Sequence, residues 1–258
     1  MNGKLYLIGC GPGDSDLLTI KALKTIEKLD IALIDHLLTD EIIALIPTQT
    51  KVIFVGKEKG KHSFPQDQIN AMITEYAQQG YIVGRLKCGD PYIFGRGTEE
   101  AIYASANGIE TEVIPGLSSA LSGPLAAGIA PTARGVSTGV SVVSAHLSGD
   151  RVNLSWIPML NVDDHTTVVL MGLSRTRQIV KEALELGIDS TLPVAIISNA
   201  TTAIQSQIIT TLAELVPAAK AAPKPAILVF GKVVNLAQVL PAYRYESKEG
   251  CYDIACAG

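Results

Sequence analysis

The sequence has few cysteines, few histidines and no excess of positive charge. Its 258 residues include four cysteines and four histidines, and the formal net charge is −4. The cysteines at positions 10, 88, 251 and 256 form no Cys-x-x-Cys pair, so we expect no metal site. We interpret the two cysteines near the carboxyl terminus as free cytosolic thiols rather than as a redox or metal pair. The negative charge argues against a nucleic-acid partner.

A long hydrophobic run is also missing. The apolar run after Lys4 is broken by Gly-Cys-Gly-Pro-Gly at residues 9–13, which is not the pattern of a signal peptide. The weakly polar stretch at 117–130 contains Pro124 and is shorter than the roughly 20 residues that a membrane-spanning helix needs. We therefore expect a cytoplasmic protein that has no membrane partner.

The sequence does contain 47% hydrophobic residues, arranged in short runs. In the first half, β-prone runs alternate with amphipathic segments, which predicts an α/β fold with a mainly parallel sheet. The predicted strands are residues 5–8, 31–34, 51–55, 81–86 and 111–114. The predicted helices begin at Asp14 or Asp16, near residue 41, near residue 63 and before Ala101.

The second half predicts a separate, mixed sheet. Its predicted strands are residues 140–144, 167–170, 193–197, 205–210 and 225–230, with helices at 117–127, 175–186 and 212–222. Two of these strands are separated only by residues 198–204, which suggests a hairpin-like pair. Pro115-Gly116 is the best domain boundary. We therefore predict an N-terminal α/β domain at 1–116, a C-terminal α/β domain at 117–242 and a frayed tail at 243–258.

The most informative stretch follows the fourth predicted strand. Residues 85–100 run Arg-Leu-Lys-Cys-Gly-Asp-Pro-Tyr-Ile-Phe-Gly-Arg-Gly-Thr-Glu-Glu and lead into a helix. Loops at the carboxyl ends of strands are where open α/β sheets bind ligands. A loop this rich in glycine, aspartate, arginine and glutamate is therefore a candidate binding loop.

A second glycine loop raises the possibility of a dinucleotide site. Gly9-x-Gly11 follows the first predicted strand, and Asp35 follows the second, where an acid that binds ribose is expected. The third glycine position holds Asp14, however, and its carboxylate would repel a pyrophosphate at the helix start. Pro12 also removes one backbone donor. The loop suits close approach of a ligand to the backbone better than it suits phosphate.

Six segments carry a wider pattern: Gly9-Cys-Gly-Pro-Gly-Asp14, Val55-Gly-Lys57, residues 85–97, Val113-Ile-Pro-Gly116, Pro131-Thr-Ala-Arg-Gly135 and Met171-Gly-Leu173. Together they resemble the tetrapyrrole methyltransferases, and within them the branch that methylates uroporphyrinogen III. The resemblance covers about residues 4–240 and is most specific at residues 89–97. It implies a homodimer of two α/β domains with the active site in the cleft between them.

The resemblance also implies the reaction. The methyl donor would be S-adenosylmethionine (SAM), and the product of the donor S-adenosylhomocysteine (SAH). Methylation of uroporphyrinogen III at C2 and then C7 would give precorrin-2, on the way to sirohaem or cobalamin. The implied cofactor contacts are Pro12, Cys88, Gly89, Asp90, Ile93, Ser118, Ser119, Met171 and Ala200. Considered alone, Asp90 fits an Asx turn before Pro91, and Met171 fits a core methionine.

The resemblance implies further roles in proton transfer and substrate binding. The proton-transfer residues would be Asp35 and Lys57, and the substrate-binding residues His36, Arg96, Glu99, Arg134 and Met171. Arginine suits this substrate because its guanidinium grips carboxylates with two hydrogen bonds. Asp35 fits a helix cap or a ribose contact as well as a base, and a substrate carboxylate is an alternative base. Arg96 would otherwise brace its loop against Glu99 or Glu100.

Cations are concentrated in the predicted loops, at Lys57, Lys59, Lys61, Arg85, Lys87, Arg96 and Arg134. We expect this local excess to steer a polyanionic tetrapyrrole, although residues 57–61 by themselves also fit a solvated loop. Four positions depart from the family pattern: Cys88 and Ala200 replace glycines, Ala133 replaces a histidine and His36 replaces an arginine. Three alternatives therefore stay open: a methyltransferase for a later precorrin, a non-catalytic binding relative and an NAD-dependent oxidoreductase.

Overall fold

The structure is a computed structural model, and it describes residues 3–56, 64–147, 149 and 151–246. The chain divides into two compact units, residues 1–123 and 124–258. This division falls inside the helix Ser119–Ala126, whereas the predicted domain boundary lies before that helix and stays a prediction. The described residues form ten strands, each within two residues of its predicted bounds.

The first unit is built on a five-stranded sheet in which every neighbouring pair is parallel. The strand order is β3-β2-β4-β1-β5. The strands are β1 Lys4–Gly9, β2 Ile31–Ile34, β3 Lys51–Phe54, β4 Ile82–Lys87 and β5 Glu110–Ile114. The helices are α1 Ile20–Ile26, α2 Asp40–Ala44, α3 Gln66–Gln78 and α4 Gly97–Ala106, and α5 Ser119–Ala126 follows β5. The predicted parallel α/β sheet is confirmed.

Both faces of this sheet are covered, which explains why its strands are almost continuously apolar. Because strand side chains alternate between faces, Ile8 and Leu86 pack with α1 and α2 on one side. Leu7 and Val83 pack with α3 and α4 on the other side. The chain therefore leaves the adjacent strands β1 and β4 toward opposite faces, and such a switch point opens a ligand crevice at the strand ends.

The first predicted helix begins later than the sequence suggested. Asp14 caps only the 3-10 turn Ser15–Leu17, with its carboxylate accepting from the backbone N–H of Asp16 at 2.8 Å. The α-helix α1 starts at Ile20, where the Thr19 hydroxyl accepts from the N–H of Ala22 at 3.1 Å. A second capping residue thus divides the segment into two short helices.

The second unit contains a mixed sheet in the order β6-β7-β10-β8-β9. Its strands are β6 Gly139–Ser144, β7 His165–Leu170, β8 Pro193–Ser198, β9 Ser206–Thr211 and β10 Ala226–Phe230, and its helices are α6 Thr176–Glu185 and α7 Leu215–Ala221. Only β6 and β7 pair in parallel among these described strands. The predicted hairpin-like pair is β8 and β9. Three short 3-10 helices, Ile157–Asn161, Leu173–Arg175 and Lys232–Gln238, were not expected.

The core of the second unit lies between this sheet and α6 and α7. Ile179 and Ala183 of α6 pack with Leu215 of α7 against the strand residues Val169 and Leu228. In the described part of the chain, no helix is long and apolar enough to cross a membrane.

Candidate active site

Three loops of the first unit meet at the carboxyl edge of its sheet. The loop after β1 continues to pair with the loop after β4, because the N–H of Cys10 donates to the carbonyl of Lys87 at 2.8 Å. Gly11 and Gly89 then exchange two backbone hydrogen bonds, of 3.2 and 2.7 Å. The first glycine loop, at residues 9–13, and the loop after β4, here named the central loop, at residues 88–96, are therefore joined by backbone hydrogen bonds.

The loop after β5 crosses these two loops, and the backbones are so close that no side chain fits between them. A side-chain carbon on Gly9 would lie 2.4 Å from the nitrogen of Gly116, and one on Gly116 would lie 2.2 Å from the oxygen of Gly89. A side-chain carbon on Gly89 would meet only Ser118, at 3.9 Å. The crossing is thus closed at Gly9 and Gly116, while Gly89 faces open space beside Ser118. A ligand that lies against bare backbone fits this arrangement.

Asp90 ties the crossing together. One carboxylate oxygen accepts from the N–H of Gly116 at 3.1 Å, and the other accepts from the N–H of Tyr92 at 2.8 Å. The second bond is an Asx turn, so that interpretation of Asp90 is confirmed. Each carboxylate oxygen has a further lone pair and can accept another hydrogen bond. Cofactor contact by Asp90 therefore stays a prediction.

The other predicted cofactor residues of the first unit surround the same crossing. The Cys88 thiol donates to the carbonyl of Gly11 at 3.7 Å, next to Pro12. Burial, helped by the negative charge of Asp35, raises the pKa of the Cys88 thiol to about 11. Ser118 accepts from the N–H of Ala120 at 3.3 Å and precedes Ser119, the first residue of α5. Ile93 is exposed in the central loop.

The first unit also contains a buried cluster of charged side chains, which come from β4, from α4 and from the loop after β2. Arg85, Lys87 and Glu100 are almost fully buried, with side-chain exposures of 3%, 3% and 0%. Asp35, in the loop after β2, is 26% exposed. The cluster contains two cations and two carboxylates, so its charges balance, as buried charges must.

Arg85 is held at each nitrogen of its guanidinium. Nε donates to Glu100 at 2.9 Å, and Nη2 donates to Asp35 at 2.5 Å. Nη1 donates to the backbone carbonyls of Leu33 and Leu86, at 3.4 and 3.1 Å. Although burial lowers the pKa of Arg85, the two carboxylates outweigh it and the net shift is upward. The guanidinium is charged and fixed in place.

Lys87 completes the cluster on the same face of β4. Its ammonium lies 3.1 Å from one oxygen of Glu100 and 3.0 Å from the other. Burial, with the nearby positive charge of Arg85, lowers the pKa of Lys87 despite the attraction of Glu100. Arg85 and Lys87 were expected to steer the substrate from cleft loops. That expectation is wrong, because both side chains are buried and engaged inside the unit.

Asp35 does not cap a helix. The helix α2 begins at Asp40 with Thr39 at its N-cap, so the helix-cap interpretation is wrong. Instead, one oxygen of Asp35 meets Arg85, and the side chain remains partly open to solvent at the carboxyl edge of the sheet. This is a suitable position for a group that exchanges protons with a bound ligand.

Arg96 and Glu99 form an exposed pair at the start of α4. The guanidinium makes two hydrogen bonds to the carboxylate, at 2.9 and 2.7 Å, and the side chains are 54% and 51% exposed. Hydrogen bonding raises the pKa of Arg96 and lowers that of Glu99. The bracing partner of Arg96 is therefore Glu99, not Glu100. Both charges remain accessible to a ligand.

His36 is exposed beside Asp35 and stacks on Phe54, with ring centroids 5.7 Å apart and planes at 22°. The two rings form an aromatic pair at the end of the edge strand β3. Lys57, together with Lys59 and Lys61, lies outside the described residues.

The second unit carries the remaining predicted residues. Met171 follows β7 with φ of +57° and is 45% exposed, so the core-methionine interpretation is wrong. Ala200 is buried in the turn after β8, where the N–H of Thr201 donates to the Gln205 side chain at 2.7 Å. Arg134 is exposed between α5 and β6. Their ligand contacts stay predictions.

The pairing of Glu100 with Arg85 and Lys87 was not predicted from the sequence, in which Glu100 was an alternative partner of Arg96. A signal was present: Arg85 and Lys87 are two residues apart on a strand that is otherwise apolar, so they share one face and require a buried acid. The described residues contain no group of three or more His, Cys, Asp or Glu placed to hold a metal ion.

Known proteins resemble this chain along most of its length. The profile of the family described as Tetrapyrrole (Corrin/Porphyrin) Methylases matches residues 4–216. Uroporphyrinogen-III C-methyltransferase of Methanocaldococcus jannaschii is 44% identical over 92% of this chain and 98% of its own. Siroheme synthase 1 of Klebsiella pneumoniae is 39% identical over 95% of this chain, which spans 52% of that longer protein.

A solved structure agrees with these relatives. The crystal structure of uroporphyrin-III C-methyl transferase from Thermus thermophilus complexed with S-adenyl homocysteine has a TM-score of 0.79 and 35% identity. The match covers 91% of this chain and 100% of that one. The resemblance seen in the sequence and the α/β fold class are confirmed. On the extent of the family match and of these identities, the chain belongs to the tetrapyrrole methylases.

Proposed function

We propose that this protein transfers methyl groups from SAM to C2 and then C7 of uroporphyrinogen III, giving precorrin-2 and SAH. The observation that carries the proposal is the 44% identity to a uroporphyrinogen-III C-methyltransferase across 98% of that enzyme. The SAH in the Thermus thermophilus structure supports SAM as the donor. The 39% identical siroheme synthase supports a place in sirohaem formation.

The glycine crossing is the proposed seat of the donor. SAM, when bound, supplies an electrophilic methyl group on a sulfonium, so the protein has mainly to orient it. Gly89 leaves bare backbone open beside Ser118, Gly9 and Gly116 let the loops pack closely, and Asp90 holds the loop of Gly116. Holding two reactants in a productive geometry is worth roughly 7–11 kcal/mol. The remaining cofactor contacts, Pro12, Cys88, Ile93, Ser118, Ser119, Met171 and Ala200, are part of the same proposal.

The exposed cations are the proposed holders of the substrate. Uroporphyrinogen III carries eight carboxylates, and Arg96 presents an accessible guanidinium beside the central loop. In the complex, Arg96 exchanges part of its pairing with Glu99 for a substrate carboxylate. His36 and Arg134 are exposed and suited to the same task, and Met171 forms a wall for the ring.

Asp35 is the proposed proton acceptor. Transfer of the methyl group as CH3+ leaves a positive charge on the macrocycle, which loss of one of its protons neutralises, and a partly exposed carboxylate at the strand ends is suited to take that proton. Lys57 is the proposed partner in proton transfer. A cytoplasmic homodimer is the assembly that the family resemblance implies, and it stays a prediction.

Mass spectrometry tests the proposed function directly. Uroporphyrinogen III incubated with SAM and the protein without oxygen should gain two methyl groups, with one SAH formed for each. Methylation of a later precorrin, but not of uroporphyrinogen III, would favour the corrin-ring alternative. Binding of SAH without turnover on any tetrapyrrole would favour a non-catalytic relative.

A further inference from the structure

Glu100 accepts three hydrogen bonds on one oxygen, from three different side chains. The donors to Oε1 are Arg85 Nε at 2.9 Å, Lys87 Nζ at 3.1 Å and Gln66 Nε2 at 3.1 Å. Among the residues that the structure describes, Oε2 has no hydrogen-bond partner, and it forms an ion pair with Lys87 at 3.0 Å. The carboxylate is fully buried in α4, in the residue after Glu99, so it cannot touch a ligand.

Arg85 links this buried carboxylate to Asp35. Its Nε donates to Glu100 and its Nη2 donates to Asp35, so one rigid planar group joins the two carboxylates. Nη1 is held by two backbone carbonyls at 3.4 and 3.1 Å, and the bond from Nε to Glu100 completes the restraint on the plane. A shift of the Arg85 guanidinium therefore moves the acceptor oxygen of Asp35.

Stability alone does not require such a cluster. Replacing a buried ion pair by apolar residues of similar volume is often neutral or stabilising, so charge pairing by itself does not account for four ionised groups here. Apolar residues at 85 and 100 would fill the same space. They would not fix a guanidinium against a carboxylate at the carboxyl edge of the sheet.

We propose that Glu100 is a positioning residue: through Arg85 it holds the carboxylate of Asp35 in the orientation needed to accept the proton released on methylation. The inference rests on the proposed function, because Asp35 has this task only in that reaction. Lys87 serves to balance the charge of Glu100, and Gln66 supports its orientation.

Two double variants of equal charge separate positioning from stability. Lys87→Met with Glu100→Gln keeps an acceptor oxygen for Arg85 Nε, whereas Lys87→Met with Glu100→Leu removes it. Both retain one cation and one carboxylate, Arg85 and Asp35. We expect the glutamine variant to keep kcat within about threefold of wild type and the leucine variant to lose about 100-fold, as for a reacting group misplaced by about 1 Å.

The split between kinetic constants is the decisive readout. In the leucine variant, the KM for uroporphyrinogen III and the Kd for SAH should stay within about twofold of wild type, because Glu100 touches neither ligand. A kcat equal to that of the glutamine variant would overturn the proposal. If the leucine variant does not fold, Arg85→Lys replaces it. A single ammonium cannot hold both carboxylates, so kcat should again fall, and an unchanged kcat would again overturn the proposal.

A measurement without substrate separates this inference from the proposed function. In wild type and in the glutamine variant, the NMR signal of the Arg85 Nε–H should be protected from exchange with water, and in the leucine variant it should not. Protection in the leucine variant would contradict the positioning role. If wild type shows the protected signal but no methylation of uroporphyrinogen III, the proposed function fails while the geometry stands.

Discussion

Two arginine–glutamate pairs occupy the same part of the first unit and have opposite surroundings. Arg96 and Glu99 are about half exposed, whereas Arg85 and Glu100 are buried. The two glutamates are neighbours in sequence, and the first turn of α4 directs one outward and the other toward β4. An exposed pair contributes only about 0.2–1 kcal/mol, so Arg96 can change partners at little cost. Arg85 cannot change partners in this way, because its pair with Glu100 is buried.

The difference separates a pair that supports the interior from a pair that stays accessible at the surface. Leaving one partner of a buried pair without the other costs about 3–5 kcal/mol, so the interior pair is permanent. The exposed pair keeps both charges accessible, as the proposed binding of an anionic substrate by Arg96 requires.

Removal of the buried carboxylate should cost the most stability. Glu100→Leu leaves Arg85 and Lys87 buried against Asp35 alone, and we expect the free energy of unfolding to fall by about 3–5 kcal/mol. Urea unfolding measures it. Thr50→Val removes a buried hydrogen bond at the opposite end of the sheet, of 2.7 Å to the carbonyl of Leu29, and should cost about 1 kcal/mol. Equal losses in the two variants would break the contrast.

Removal of the exposed guanidinium should affect activity rather than stability. Arg96→Ala should lower the methylation rate by about 100-fold, while the free energy of unfolding changes by less than about 1 kcal/mol. The affinity for SAH, measured by calorimetry, should not change. Arg177→Ala, at an exposed arginine of α6, is the matched control and should leave all three quantities unchanged. Unchanged turnover in Arg96→Ala would remove that residue from the mechanism.

The same contrast between crowded and open positions can be tested on glycine. Gly116→Ala places a carbon 2.2 Å from the oxygen of Gly89, and we expect a loss of about 1–3 kcal/mol in unfolding free energy. The affinity for SAH should fall with it, because the loops separate. Gly108→Ala is the control: its φ is +72°, but among the described residues, other than its chain neighbours, no atom lies within 4 Å of the added carbon. It should lose stability through backbone strain alone and keep its affinity for SAH.

The smallest expected effect is a pH dependence at Cys88, the residue that follows Lys87. Its pKa is raised from the ordinary value of 9.0 to about 11, mainly by burial. The thiol therefore contributes stability that is present below about pH 9 and is lost as the pH rises through about 11. Unfolding free energies of wild type and Cys88→Ala should accordingly converge over this range. A constant difference between the two proteins would contradict the shifted pKa.

Much of the fold could be predicted because its signals are local. Buried parallel strands have runs such as Leu5-Tyr-Leu-Ile8, and each run is bounded by glycine, proline or aspartate. The start of α1 was wrong because Asp14 and Thr19 are both good capping residues, and sequence does not tell which one begins the longer helix. The candidate loops were found because strand ends and glycines mark them.

Local signals could not tell which cations near those loops bind a ligand and which pair with a buried acid. Arg85, Lys87, Arg96 and Arg134 have similar chemistry in the sequence, yet the first two are buried and the last two are exposed. Whether a cation binds a ligand or supports a neighbour depends on which face of a strand it occupies and on what a distant helix places there.

By itself, the sequence determined the family, the ten strands and the loops at the carboxyl edge of the first sheet, because apolar runs, turn residues and specific motifs are local properties. Only the tertiary structure decided that Glu100 is the partner of Arg85 and Lys87, while Glu99 is the partner of Arg96. The physical reason is burial. A buried charge needs an opposite charge beside it, and here that pairing depends on where α4 places Glu100 relative to β4.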